Sequence, residues 1–557
     1  MRNVKHLCLS ATIGIALFQG SSLVLATNFD LVINQGRVMD PETQFDQVAN
    51  VGIKDGRIAV ITTDTIEGQR HIDATGLVVA PGFIDGHFHA VDRLATKLAV
   101  QDGVTTGMDL ETGSSHVGDW YANREATGWQ MNYGTTASLG VARMMVHDPE
   151  IDINEPVDAS IMGRYIDQTS RDGVSGWSVS RSDVWQLNTL VRRLDEDLRQ
   201  GAIGIGIGLA YMQKGVTSYE QFEVQRTAAR YGRLSSVHTR FHLSAQTPTE
   251  SPIALDEVLA NAILLNAPLI LCHDNDYGWW ENQEKLQLAR KQGYNVWGEY
   301  YPFTAGSTFI SAGFLQPATW EEVFNYRYEE TLYDPNLNKF LTKSEYLNIV
   351  EEDPSRVIVV HMPARKEWLK YWLTIPNMVV GSDAMMGVDQ HGTLLPYEAK
   401  PEEYAGHPRT VSSYARTLML AREHGVPLMF TLAQLSYWSA KHLGDTGLVA
   451  MQERGRMQQG KIADITIFDP DMVAPRATYK AGENGLTSAG IPWVIINGQV
   501  VVANSEVLDV RPGRPIRYPI EREGRYEPIS WVSWLDEHSI FSKSNSSVLK
   551  DYPDPRD

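Results

Sequence analysis

Between Pro81 and about residue 453, short apolar runs recur, each ending in polar residues and each followed by a stretch with helical periodicity. APLILC, RVIVVH and NMVVGSD are runs of the first kind, and TSYEQFEVQRTAARYG is a stretch of the second. This alternation predicts an α/β fold in which residues 81–453 form a (β/α)8 TIM-like barrel. The flanks have a different texture. From about Phe29 to Val79, runs such as LVINQGRVMDPE, VGIKDGRIAVI and HIDATGLVVAPG read as short strands between turn signals. GRMQQGKIADITIFDPD and IPWVIINGQVVVANSE repeat that texture far downstream. Residues 27–80 and 454–525 are therefore expected to build one small β-sandwich from both ends of the chain. Residues 526–557, with aromatic side chains and then a polar SKSNSS run, carry no assigned role.

A chain of 557 residues exceeds the usual size of a single core, which agrees with this division. Its formal charge of -19, with no local basic patch, argues against nucleic acid and anionic lipid as partners. Residues 1–26 have a basic start, a short apolar stretch and a run of small residues, and so read as a signal peptide. Gln19 and Gly20 interrupt the apolar stretch, which is too short to span a bilayer comfortably. The expected location is periplasmic or secreted, without stable membrane insertion. Cys8 lies too near the start for lipid attachment. Cys272 is then the only thiol of the mature chain, which excludes an internal disulfide.

The strongest local signal is PGFIDGHFHA, in which an apolar strand ends in His87 and His89. Alternate residues of a strand face the same side, so both imidazoles can point into the barrel mouth, a pairing suited to zinc or a similar ion. His238 and His273 also follow apolar runs directly, and Asp383 ends another. Residues at successive strand ends converge on one mouth. His361 in VIVVHMP fits the same pattern and is placed beside the substrate or behind the ligands rather than among them. The glycine string at 204–209 lacks the G-x-G-x-x-G spacing of a nucleotide fingerprint, and close strand packing or a substrate-facing turn accounts for it better.

This arrangement resembles the amidohydrolase superfamily over nearly the whole mature chain. GVTTGMDLETG, GAIGIGIGLAYMQKG, EYYPFTAGST, GHPRTVSSYARTL and RPGRPIR resemble its N-acyl-D-amino-acid deacylase branch, and within it the D-glutamate deacylase-like group. The resemblance implies a hydrolase of linear amides holding one or two divalent ions, zinc in the first instance. Its substrate would be a small N-acyl amino acid, with D-glutamate-like substrates favoured and formyl or acetyl as the acyl group. No lysine falls between Lys97 and Lys214, where a carboxylated lysine would serve as bridging ligand in hydantoinase-like relatives. Glu111 stands beside the position where typical D-aminoacylases have a cysteine, and is the implied bridging ligand.

By the same resemblance, His87, His89, His238 and His273 are ligands, and Asp383 both touches the metal and serves as general base and then acid. Tyr301 helps to hold the scissile oxygen, and Arg409 binds the substrate carboxylate. Arg240, two residues after His238, is the second candidate cation. Asn275 stands where typical D-aminoacylases have a lysine, and is assigned to the substrate pocket. Three rival readings belong to other classes: a cyclic-amide hydrolase, which the lysine gap disfavours, a deaminase, and a metal-binding protein without catalysis.

Overall fold

In the computed structural model, residues 29–171, 174–242 and 250–539 are described. The predicted signal peptide and residues 540–557 lie outside them. Eight strands form one parallel sheet in simple chain order. They are β1 (Phe83–Asp85), β2 (Val104–Ser114), β3 (Asn132–Ser138), β4 (Gly204–Gly208), β5 (Leu234–His238), β6 (Leu269–Leu271), β7 (Val296–Tyr300) and β8 (Met378–Val380). The ends meet just past β1 and β8, where Phe88 bridges Ala384 and the Ser382 amide donates to Asp85 at 3.1 Å. Almost every residue of these strands is buried, as both faces of a barrel strand must be.

The helices between strands show why these segments coil. In Val184–Arg199, Leu187, Leu190, Val191, Leu194 and Leu198 recur at helical spacing and form its buried stripe. Asp183 and Gln186 close its first turn in a reciprocal capping box. The predicted helix in TSYEQFEVQRTAARYG is present as Ser218–Arg230, capped by the Thr217 side chain. Among the described residues, no helix is long and apolar enough to cross a membrane.

The two distant β segments join in a single nine-stranded sheet, in which Ile465–Phe468 pairs antiparallel with Val78–Pro81. That strand leads through Gly82 directly into β1, which couples the sheet to the barrel. A third, antiparallel sheet contains Ala305–Phe309, Leu332–Asp334, Lys339–Phe340 and Val357–His361. Here the expectation from apolar runs requires correction. RVIVVH is not a barrel strand: it pairs antiparallel with Ala305–Phe309 inside an insertion between β7 and β8. An apolar run of that length fits either sheet, and only the partner strand distinguishes them.

The RPGRPIR segment passes along the barrel beside β3, where the Ile516 amide donates to the Tyr133 carbonyl at 2.7 Å. Gly513 has to be glycine there, since a Cβ would lie 2.0 Å from the Met131 carbonyl oxygen. The rest of the described tail carries a short helix, Trp531–His538.

Candidate active site

At the C-terminal mouth of the barrel, Glu111 from β2 stands between four imidazoles. Its Oε2 lies 2.9 Å from His87 Nε2 and 3.0 Å from His89 Nε2. Its Oε1 lies 2.7 Å from His238 Nδ1 and 3.5 Å from His273 Nε2. Asp383 Oδ1 faces the first pair, 3.6 Å from His87 Nε2 and 3.5 Å from His89 Nε2. The structure thus brings together His87, His89, Glu111, His238, His273 and Asp383, all of them buried.

The glycines of β4 permit this approach. A Cβ on Gly206 would fall 2.2 Å from the Glu111 carbonyl oxygen, so the string packs backbone against backbone at the bridging residue.

Donor chemistry tests whether a cation belongs here. His87 Nδ1 contacts Glu299, and His89 Nδ1 lies 3.2 Å from Asp109 Oδ1, so each ring directs its Nδ1 proton to a carboxylate. The two Nε2 lone pairs then converge, 3.0 Å apart, on a carboxylate oxygen. Such a group of acceptors is stable only around positive charge. Burial alone would lower the His87 imidazolium, yet Glu299, Glu111 and Asp383 together raise it well above its usual range. For His89, burial is likewise outweighed by Asp109 and Glu111, and the ring is pushed up to about 10. Burial disfavours the Glu111 carboxylate, but His87 and His238 hold its pKa well below the usual range. The site attracts a cation, and its nitrogen and oxygen donors suit a divalent metal.

Two ligand positions carry unusual backbone. His273 has φ 28 and Asp383 φ 52, left-handed conformations that non-glycine residues adopt at a cost, and which concentrate at functional sites. The Glu299 side chain accepts from the His273 amide at 3.3 Å, and the Phe88–Ala384 bridge anchors the chain beside Asp383.

Tyr301 lines the cavity, and Arg409 is fully buried beside it, its guanidinium 5.2 Å from the ring centre. Arg409 donates from Nη2 to Asp383 Oδ1 at 2.8 Å and to the Ser307 carbonyl at 3.2 Å. Its Nε and Nη1 are buried with no hydrogen-bond partner among the described residues. Burial raises the Tyr301 phenol although Arg365 and Arg409 oppose the shift, so it remains a hydrogen-bond donor.

Two assigned substrate contacts are corrected. Arg240 is engaged away from the site, with Nε and Nη2 on Glu257 at 3.1 and 2.8 Å and Nη1 on the Gln213 and Val216 carbonyls. β5 ends at His238, so strand alternation no longer directs residue 240. Asn275 exchanges hydrogen bonds with the Tyr301 backbone, donating to its carbonyl at 3.1 Å and accepting from its amide at 3.3 Å. It braces Tyr301 and is fully buried beneath it. His361 packs among Phe340 and Tyr479 on the antiparallel sheet, outside the cavity lining.

Two residues absent from the sequence reading, Arg365 and His242, belong to the site. Arg365 lines the cavity, forks onto Asp276 at 2.9 and 2.8 Å, and donates from Nη1 to Tyr301 Oη. His242 Nδ1 lies 2.9 Å from His238 Nε2, the nitrogen that faces away from Glu111. Burial, His238 and His273 push the His242 pKa well below its usual value, so the ring is neutral. The available signal was charge and imidazole close behind strand-end residues. Arg365 follows a strand outside the barrel, which hid it.

No family model matches the chain. Over 514 residues, 87% of this chain and 97% of the relative, it is 27% identical to the D-aminoacylase of Alcaligenes xylosoxydans xylosoxydans. Over 518 residues, 88% of this chain and 96% of the relative, it is 26% identical to the N-acyl-D-glutamate deacylase of the same organism. A crystal structure of N-acyl-D-glutamate deacylase from Bordetella bronchiseptica, complexed with zinc and a phosphonate inhibitor, matches with TM-score 0.68 and 22% identity. That match covers 88% of this chain and 100% of the other. Over most of its length the chain is thus similar to a D-aminoacylase and an N-acyl-D-glutamate deacylase, and it shares their fold.

Proposed function

We propose that the protein is a metal-dependent hydrolase that removes the acyl group from an N-acyl-D-amino acid. The observation that carries this reading is Glu111, whose two oxygens each face a pair of histidines while Asp383 and Arg409 stand at one side. His87, His89 and Asp383 would hold one divalent ion and His238 and His273 a second, with Glu111 between them, zinc being the natural choice for these donors. Bound there, such an ion acts as a Lewis acid and brings the pKa of water toward neutrality.

The remaining steps belong to the side chains. Asp383 takes the proton of the attacking water and passes it to the departing nitrogen. Tyr301, braced by Asn275 and Arg365, donates its hydroxyl proton to the scissile oxygen. Arg409 offers its two open donors to the α-carboxylate. The space between these groups is marked by Gly306. A Cβ there would lie 3.0 Å from Tyr301 Oη, 3.8 Å from Arg409 Nη1 and 3.9 Å from Arg365 Nη1.

The D configuration comes from the named activities of both long relatives. Acyl-D-glutamate is a first substrate to try because one of them is an N-acyl-D-glutamate deacylase. Neutral acyl-D-amino acids stand beside it, because Arg365 is committed to Asp276 and Tyr301, leaving Arg409 the cation with open donors in the described site. The sequence of residues 1–26 supports export to the periplasm or beyond.

The test is a screen of the purified protein against N-acetyl D- and L-amino acids, with metal analysis before and after a strong chelator. D-specific release of the free amino acid, lost with the metal and restored with zinc, is expected. Undiminished turnover in metal-free protein would remove the reading.

A further inference from the structure

In a ring of eight strands, β3 and β4 lie across the barrel from β7 and β8. Tyr301, Asp383 and Arg409 follow β7 and β8, so the amino-acid half of a substrate lies on that side. The substituent on the other side of the scissile carbonyl must leave toward the loops after β3 and β4. There the cavity wall is apolar, built from Ala159, Met162, Ile166, Trp177 and Met212, with Phe309 closing it from the antiparallel sheet. A formyl or acetyl group would leave these walls unfilled. A second cavity abuts the first, since Ile166, Trp177, Tyr211 and Phe309 line both. The wall carries no charge, and two of its residues are methionines, whose side chains adapt to flexible aliphatic ligands.

We propose that this chamber binds the substrate's acyl chain and selects N-acyl amino acids whose acyl group is an aliphatic chain of several carbons. The inference rests on the deacylase reading and adds the chemical class of the acyl group. In the reaction the amide C–N bond breaks, the water oxygen joins the acyl carbon to give a fatty acid, and the nitrogen leaves as the protonated amine. The fatty acid is therefore a product whose chain occupies the chamber.

The experiment uses the metal-loaded full chain and one D-amino acid bearing acetyl, butyryl, octanoyl or dodecanoyl groups. A parallel series keeps acetyl and varies the D side chain. Each methylene buried in the chamber should raise kcat/KM by about fourfold until the chamber is full. With three or four of its six additional methylenes buried, octanoyl should exceed acetyl by on the order of 100-fold. Met162→Trp and Ile166→Glu, which fill or charge the wall, should each lower the octanoyl-to-acetyl ratio at least tenfold. A flat acyl series, a preference confined to the side-chain series, or an unchanged ratio in both variants overturns the proposal. Octanoate binding, followed by calorimetry in wild type and Met162→Trp, separates this inference from the reading beneath it. If no acyl amino acid is hydrolysed but octanoate binds wild type and not the variant, the deacylase reading falls and the chamber stands. If octanoate does not bind, the chamber falls.

Discussion

Arg409 places Nη2 2.8 Å from Asp383 Oδ1 and leaves Nε and Nη1 buried without a partner among the described residues. One guanidinium thus orients the proposed proton carrier and keeps two donors open, with Nη1 3.8 Å from where a Cβ on the cavity-lining Gly306 would lie. Arg409→Ala should lower kcat/KM for N-acyl amino acids by on the order of 100-fold or more, as loss of a buried charge partner does. The corresponding carboxamides, which lack the carboxylate, should lose far less. Equal losses for both substrate types would assign Arg409 to Asp383 alone.

Asp383→Asn keeps the shape of the side chain and removes its capacity to take a proton. Turnover should fall by roughly 10²- to 10⁴-fold, the span of general acid–base catalysis. Circular dichroism should remain that of the wild type, and most of the metal should be retained. A kcat within a few fold of wild type would end the proton-carrier assignment.

Gly306→Ala tests the space between Tyr301, Arg409 and Arg365 without altering any polar group. The added methyl, 3.0 Å from Tyr301 Oη, should reduce kcat/KM at least tenfold while shifting the melting temperature little. Unimpaired turnover would show that the scissile group binds elsewhere.

Asp102 supplies a pH-dependent prediction. It is buried and accepts from the Tyr414 and Ala415 amides and from Ser488 Oγ, yet burial outweighs these bonds and pushes its pKa up to about 7. In the unfolded chain it titrates near an ordinary carboxylate value. The folded state therefore binds the proton more tightly, and this contribution to stability, full at low pH, disappears as pH rises through about 7. Asp102→Asn cannot ionise. The variant should melt below wild type at pH 5, and the gap should narrow by pH 8 in calorimetric scans. A gap independent of pH would contradict the raised pKa.

The mouth was legible in sequence because parallel barrel strands all deliver their C-terminal ends to one place. His87, His89, His238, His273 and Asp383 each stand directly after an apolar run, and that position alone brings them together. Legibility ended where a strand ended. Arg240 lies two residues past His238, outside the alternation that would aim it, and Glu257 takes its guanidinium. Arg365 follows Val357–His361, whose apolar run has the look of a barrel strand but whose partner, Ala305–Phe309, is antiparallel. Long-range partners such as Asp276 for Arg365 and Glu299 for His87 leave no local signature.

The nine-stranded sheet has a consequence for how the chain reaches its native state. Thr466 Oγ1 donates to the Gly103 carbonyl across 363 positions of sequence, and Ser488 Oγ to Asp102 across 386. Val78–Pro81, the strand that feeds β1, thus waits with an open edge while the whole barrel is synthesised and receives Ile465–Phe468 only afterwards. Contacts of such separation are slow to form, and an unpaired edge invites association with other chains. Nascent chains halted before residue 465 should therefore be aggregation-prone even with every proposed metal ligand and the whole catalytic mouth already made.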